Sequence, residues 1–185
     1  MKIKFSQELL TILIYAREEA MRTGSYGIGA DHLVLGMLRH RDNDACRALS
    51  ACGIDADALK EQIDGHILGE RSVPWEDQQR IRPTRGAAAL LGGAAYEALK
   101  QGQTEILPSH LLLSLSRFEG STAAELIRSS GSDYASLHAL MREHRYILPR
   151  PEEPVLPPME DLLGPLGEQL TRLYSDAQAQ TNYIS

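Results

Sequence analysis

Apolar residues near the start of the chain recur at steps of three and four positions. The stripe consists of Leu9, Ile12, Leu13, Ala16 and Ala20. Such spacing is typical of an amphipathic α-helix with one buried face. Ser6 stands where a helix needs an N-cap oxygen, and Gly24 where a left-handed residue ends a helix. The pattern predicts a helix from about Gln7 to Arg22.

The pattern of the first half of the chain returns in the second half without an insertion. His110 follows His32 by 78 positions, and this offset aligns the whole stretch from Ser6 to Met141 with itself. Identical pairs include Leu13/Leu91, Ala16/Ala94, Glu19/Glu97, Gly24/Gly102, Ile28/Ile106, Leu33/Leu111, Arg39/Arg117, Gly53/Gly131 and Asp55/Asp133. Self-similarity at a fixed offset indicates a repeat architecture.

Each copy is predicted to contain four helices. In copy one they are Gln7 to Arg22, a helix capped by Asp31 that carries His32, Asp42 to Ala51, and Ala56 to Leu68. In copy two they are Thr84 to Gln101, Pro108 to Arg117, Thr122 to Ser129, and Tyr134 to Arg145. One unit of this size has too little core to stand alone, so we expect the copies to pack about a pseudo-two-fold axis. The prediction is an all-α, eight-helix bundle made of two four-helix repeats.

These helices define one domain over residues 1–148 and a tail over 149–185. Repeat one covers 5–68 and repeat two covers 83–147, with a connection at 69–82. The connection is predicted to contain no helix, with Trp75 folded back on the bundle. Gly92 and Gly93 are expected to mark a close helix crossing. Five prolines between Pro149 and Pro158 predict an extended spacer, and 162–179 has a weak amphipathic pattern that predicts a short helix.

Composition narrows the function classes. The chain has 185 residues, 43% hydrophobic and 5% aromatic, and a formal charge of −6. The charge and the lack of a basic run argue against nucleic acid and membrane surfaces as partners. No apolar segment is long enough for a signal peptide or a membrane span. Cys46 and Cys52 match no metal or redox spacing, and we expect two buried, reduced thiols, which fit a cytoplasmic location.

No catalytic or cofactor motif occurs in the chain. The phosphate-loop pattern, the nucleophile elbow and the zinc-protease pattern are all missing, so we expect no enzyme activity, no cofactor and no metal. His32 and His110 occupy equivalent helix starts, where an imidazole can hydrogen-bond a nearby carbonyl. A structural role is expected for both, as it is for the capping residues Ser6 and Thr84.

Two segments carry a resemblance to a known family. In copy one the motif is Ala16-Arg17-Glu18-Glu19-Ala20 with Ile28-Gly29-Ala30-Asp31-His32-Leu33; in copy two it is Pro83-Thr84-Arg85 with Ile106-Leu107-Pro108-Ser109-His110-Leu111. Both resemble the Clp N-terminal repeat of ClpC- and ClpA-type AAA+ unfoldases, over Lys4 to about Ile147. The resemblance implies a domain that binds adaptor proteins and receives unfolded or tagged substrates, with the AAA+ ring and its protease as indirect partners.

The tail leaves two interpretations open. The segment from Leu163 to Thr171 is similar to the stretch that leads into the first ATPase domain in that family, whereas Tyr183-Ile184-Ser185 does not continue the likeness. The chain is either a piece of an unfoldase or a free-standing domain without the motor, and we favour the second. As an alternative function, the fold would serve as a dedicated module that binds one helix of a regulatory or secretion-linked partner.

The resemblance also suggests where contacts lie. Some ClpC domains bind phosphorylated arginine through an acid directly before each repeat's histidine, and Asp31 and Ser109 hold those places here. Neither is expected to form a strong phosphoarginine site, because serine has no charge to offer and aspartate is the shorter acid. Substrate or adaptor contacts are expected at the following residues, with the Asp31 side favoured. They are Asp31, Ser109, Ala30, Pro108 and Tyr26.

Overall fold

A computed structural model describes residues 2–148 and 155–184, with side chains to residue 176. The helices are α1 (Gln7–Thr23), α2 (Ala30–Arg39), α3 (Asp44–Ala51), α4 (Ala56–Ile67), α5 (Arg85–Lys100), α6 (Pro108–Ser116), α7 (Thr122–Ser129), α8 (Tyr134–Glu143) and α9 (Met159–Ile184). The all-α prediction is confirmed, and the four helices of each repeat occur in the expected order. None of the helices within the described ranges is long and apolar enough to cross a bilayer.

The first helix of each repeat begins at its predicted cap. The Ser6 hydroxyl accepts a hydrogen bond from the Leu9 N–H at 3.1 Å, and the Thr84 hydroxyl accepts one from the Ala87 N–H at the same distance. Gly24 has φ +82° and closes α1 in the left-handed conformation that an L side chain disfavours. Local capping chemistry therefore sets both helix starts.

Four two-residue strands, which the sequence pattern did not predict, join the repeats. β1 (Lys4–Phe5) pairs in parallel with β4 (Glu105–Ile106), and β2 (Gly27–Ile28) pairs in parallel with β3 (Arg82–Pro83). The offset of 78 converts β1 into β3 and β2 into β4, so the two pairings are related by the internal symmetry. Each repeat begins with a strand that hydrogen-bonds to the other repeat.

The core is continuous through both repeats. α1 packs against α2 and α5 against α6 within the repeats, while α3 packs on α6 and α7 on α2 between them. The first and second helices cross closely in both copies. A Cβ on Gly36 would lie 2.5 Å from the Ile12 carbonyl oxygen, and one on Gly93 would lie 2.3 Å from Ser114 Oγ. The close crossing predicted at Gly93 is confirmed, and Gly36 serves the same crossing in copy one.

The connection differs from its prediction. A 3₁₀ helix covers Trp75–Arg80, where no helix was expected. Trp75 is 55% exposed and does not fold back on the bundle; Val73 and Ile81 are buried instead. Val73 and Ile81 hold the two ends of this segment in the core, and the 3₁₀ helix between them leaves Trp75 at the surface.

The tail helix α9 is longer than predicted and lies on the bundle. Its leucines at 162, 166 and 170 are buried, and the helix packs against α1 and α5. A Cβ on Gly92 would lie 2.6 Å from Met159 Sδ, so this glycine accommodates α9. The Gln169 amide donates to the Ile3 carbonyl (2.8 Å) and accepts from the Phe5 N–H (3.2 Å). Of the predicted spacer, residues 149–154 lie outside the described ranges.

The two cysteines are free, as expected, but half-buried rather than buried. The Cys46 thiol donates to the Met37 carbonyl at 3.2 Å, and burial raises its pKa. A thiol with a raised pKa is a poor nucleophile, which favours a packing role for Cys46.

Candidate functional site

The two equivalent helix starts hold their histidines in the same way. His32 Nδ1 accepts a hydrogen bond from the Gly29 N–H and His110 Nδ1 accepts one from the Leu107 N–H, each at 2.9 Å. Each imidazole occupies the third position of its helix and satisfies the backbone amide of the residue that precedes the helix. The predicted helix-start role therefore has a different partner: the rings accept from an amide instead of donating to a carbonyl.

The second ring nitrogens have different surroundings. His32 Nε2 lies 2.9 Å from Thr23 Oγ1, and because Nδ1 accepts, we assign the ring proton to Nε2. The 78-offset partner of Thr23 is Gln101. Within the described ranges, His110 Nε2 and both polar atoms of the Gln101 side chain are buried without a hydrogen bond. Burial lowers the pKa of His32 and lowers the pKa of His110 to about 4.

Asp31 does not cap its own helix, contrary to the sequence-based expectation. Gly29 is the N-cap residue of α2, and Asp31 is the second residue of the helix. Asp31 Oδ1 accepts hydrogen bonds from the Ser121 hydroxyl (2.7 Å) and the Ala123 N–H (2.8 Å). These donors belong to the start of α7 in repeat two. The carboxylate therefore links the two repeats and stabilises the amino terminus of a helix on the other side.

The corresponding residues of copy two are closed off from solvent. Ser109 is fully buried, and its hydroxyl donates to the Tyr146 carbonyl at 3.0 Å. Pro108 is also buried, as the first residue of α6. An arriving partner would find neither side chain at the surface. The difference between Asp31 and Ser109 is thus a difference in packing as well as in charge.

A cavity of about 290 Å³ lies where the repeats meet at the start of α2. We call it the junction cavity; it is lined by Gly29, Ala30, Asp31, His32, Ile67, Thr84, Gly86, Phe118, Glu119 and Gly120. It brings together four of the sequence-predicted residues, which are Ala30, Asp31, His32 and Thr84. Ser109, Pro108 and Tyr26 do not line it. It combines a carboxylate, an imidazole and a partly exposed aromatic ring at one opening.

Phe118 and its neighbours were missed by the sequence reasoning. The loop from Phe118 to Gly120 joins α6 to α7 and forms one wall of the junction cavity. Phe118 is one of only two phenylalanines, and Gly120 has φ +82°, which marks a tight turn. A rare aromatic residue beside a glycine turn is the signal that could have identified this loop.

Tyr26 lies on a separate surface with the connection. It is 42% exposed, its hydroxyl donates to Asp77 Oδ2 at 2.7 Å, and the Arg80 guanidinium lies 4.9 Å from its ring centroid. Trp75 is exposed on the same 3₁₀ helix as Asp77 and Arg80. Tyrosine, tryptophan and arginine are the side chains most enriched at protein contact hot spots.

The acid and the imidazole at the junction cavity are held by hydrogen bonds. The part of the chain that the structure describes contains no group of three or more His, Cys, Asp or Glu side chains placed to hold a metal ion. At the junction cavity, Asp31 accepts hydrogen bonds from the start of α7, and His32 is hydrogen-bonded to the Gly29 N–H and to Thr23.

Comparison with known proteins shows which family the chain resembles. The chain is 29% identical over 128 residues to the negative regulator of genetic competence ClpC/MecB of Bacillus subtilis, a match to 69% of this chain and 15% of that protein. It is 28% identical over 128 residues to the chaperone protein ClpB of Oceanobacillus iheyensis, with the same shares. The chain therefore corresponds to about 15% of the length of these relatives.

Solved structures show the same fold at lower identity. The N-terminal domain of the ClpD chaperone from Arabidopsis thaliana matches with a TM-score of 0.58 at 16% identity, covering 76% of this chain and 96% of that one. The Hsp104 N-terminal domain from Candida albicans matches with a TM-score of 0.62 at 15% identity, covering 77% of this chain and 91% of that one. The model of the Clp repeat (R) N-terminal domain family matches residues 4–124, which ends before α9. The chain belongs to the Clp repeat N-terminal domain family.

Proposed function

We propose that the chain is a substrate- and adaptor-binding domain of a Clp-type chaperone or protease system and acts by binding alone. Membership of the family supports a place in a Clp-type system, and the junction cavity supports the binding role. The cavity is the observation on which the proposal depends most, because it opens between the repeats. A partner bound there contacts both repeats at once. A cytoplasmic location goes with this role.

The cavity and the connection suggest two kinds of contact. Phe118 gives an unfolded segment an apolar surface, beside the polar groups of Glu119 and Asp31. One partly buried aromatic and a few polar groups favour weak, reversible binding, which suits a domain that must release what it captures. Tyr26 and Trp75 offer a second, aromatic surface on which a folded adaptor would dock.

The test uses a fluorescently labelled, permanently unfolded protein such as casein, with binding followed by anisotropy. Phe118→Ala is expected to weaken binding about five-fold, because it removes part of the apolar contact. Leu148→Ala is the matched control: Leu148 is 51% exposed and does not line the cavity. Absence of binding by the unmodified chain would refute the receptor role. Equal affinities of the two variants would show that the unfolded protein does not bind at the junction cavity.

A second candidate function is supported by α9. This helix packs on the face made by α1 and α5 through leucines four residues apart, so a partner helix with the same pattern would bind there in place of α9. A dedicated module would bind one such helix from a single partner. Mass analysis of complexes isolated from cells separates the candidates: one stoichiometric partner supports the dedicated module, whereas many clients together with an unfoldase support the receptor.

A further inference from the structure

Arg17 on α1 is a buried cation with few partners. The residue is 6% exposed, its Nη1 donates to the Tyr174 carbonyl at 3.3 Å, and its guanidinium lies 5.1 Å from the Tyr174 ring centroid. Its Nε finds no hydrogen-bond partner in the described part of the chain. The adjacent acid, Glu18, forms an ion pair with Arg39 instead, with 2.7 Å between Glu18 Oε2 and Arg39 Nη1. Arg17 therefore makes one hydrogen bond and one ring contact, and no ion pair with a described residue.

Burying a guanidinium with so few partners is unfavourable in free energy. Arginine stays charged in proteins, and a buried charge is normally matched by an opposite charge with good hydrogen bonds. Burial lowers the pKa of Arg17, which is the expected direction for a cation removed from water. One carbonyl and one aromatic ring offset part of this cost. They do not use the Nε donor.

Arg17 also lines a cavity of about 420 Å³. We call it the Arg17 cavity; it lies between α1, the end of the connection and α9. Arg82 is a second guanidinium in its lining, and α9 contributes the hydroxyl-bearing residues Thr171 and Ser175. The Thr171 hydroxyl already donates to the Gly167 carbonyl at 3.0 Å, so the donors around this space are the two guanidiniums and the Ser175 hydroxyl. Such a donor set is suited to an oxyanion.

We propose that the Arg17 cavity binds an oxyanion, a carboxylate or a phosphoryl group, with Arg17 as its main charge partner. Arg82 and the Ser175 hydroxyl complete the shell. Arg17 has no counterpart in repeat two, because its 78-offset partner is Ala95. Use of the site for recognising an anionic group on a client rests on the proposed receptor function, but the site itself does not.

The experiment is a titration of the full-length chain followed by ¹H–¹⁵N NMR. The probes are sodium phosphate and sodium acetate, each against sodium chloride at constant ionic strength. We expect saturable shifts at the Thr171 and Ser175 amides and at the Arg17 Nε–H resonance. The last readout requires no variant, so it tests the site even if substitution of Arg17 disturbs folding.

Three variants test which arginine supplies the charge that binds the anion. Arg17→Gln is expected to weaken binding about ten-fold, the usual effect of losing one charge-assisted contact. Arg82→Gln, at an exposed position, is expected to weaken it about three-fold. Arg172→Gln is the matched control, because Arg172 is an exposed arginine of α9 outside this cavity. Melting temperatures in phosphate should rise for the unmodified chain and for Arg172→Gln, and rise less for Arg17→Gln at the same phosphate concentration.

The two probes distinguish the sources of the ligand. Tighter binding of acetate assigns the site to a carboxylate, such as a peptide terminus or an acidic side chain, and tighter binding of phosphate assigns it to a phosphoryl group. The proposal is wrong if neither anion gives saturable shifts, or if Arg17→Gln binds as tightly as the control. No client protein is present, so this result is independent of the anisotropy test of the receptor role.

Discussion

Replacement of Asp31 by alanine should lower the stability of the whole domain. The substitution removes an acceptor of two hydrogen bonds, from the Ser121 hydroxyl at 2.7 Å and the Ala123 N–H at 2.8 Å. Hydrogen bonds to a charged group contribute about 1.5 to 3 kcal/mol each at most, and these are only partly buried. Ser121 still caps α7 through the Ala124 N–H. We therefore expect Asp31→Ala to cost about 2 to 3 kcal/mol, a melting temperature lower by about 5 to 10 °C.

Urea unfolding followed by circular dichroism measures this cost. Asp31→Asn keeps an oxygen acceptor and loses the charge, so an intermediate cost of about 1 kcal/mol is expected. Asp42→Ala is the control, because the Asp42 side chain is 90% exposed and forms a surface ion pair with Arg47, and its loss should leave stability unchanged. If Asp31→Ala were no less stable than Asp42→Ala, Asp31 would not link the repeats.

Three further perturbations test other parts of the structure. Burial lowers the pKa of His110 to about 4, against about 6.5 in the unfolded chain. Between these pH values His110 takes up a proton when the chain unfolds. The free energy of unfolding should therefore fall by up to about 3 kcal/mol as the pH drops from 6.5 to 4. His110→Asn should flatten this dependence in urea unfolding at several pH values. Gly36→Ala should lower the free energy of unfolding by about 2 kcal/mol or more, because the new Cβ meets a backbone oxygen. Gly65→Ala should raise it by about 0.5 to 1 kcal/mol, because nothing lies within 4 Å of the new Cβ. Thermal unfolding measures both changes. Leu166→Ala should speed hydrogen exchange in α9 but not in α1, and the exposed control Glu168→Ala should leave both unchanged.

Features set by neighbouring residues were predicted from the sequence. The bounds of α7, Thr122 to Ser129, agree residue for residue with the prediction, and the starts of α1 and α5 follow from the capping residues Ser6 and Thr84. A cap, its helix and the glycine that ends it lie within one or two turns of each other. Their signals are therefore visible in a short window of sequence.

Features set by distant residues were not predicted. The hydrogen-bond donors to Asp31 lie about 90 positions further along the chain, so a local pattern could only suggest that it caps its own helix. The two-residue strands are too short to show alternation. The amphipathic pattern of α9 indicated a face to bury, but did not indicate that Gly92 leaves room for it on α5. Of the junction cavity, the sequence analysis named Ala30 and Asp31 as contact residues. It did not name Phe118 and Gly120, because they come from a loop without periodicity.

The exchanged strands have a consequence for the integrity of the domain. Each repeat supplies an edge that only the other repeat pairs, through Lys4–Phe5 with Glu105–Ile106 and Gly27–Ile28 with Arg82–Pro83. The two halves are complementary in the sense of an isologous dimer whose subunits happen to share one chain. Cleavage of the exposed connection near Trp75 would leave two fragments that stay associated through their strands and their common core. The covalent link holds the halves at high effective concentration, and the noncovalent interface holds them in register.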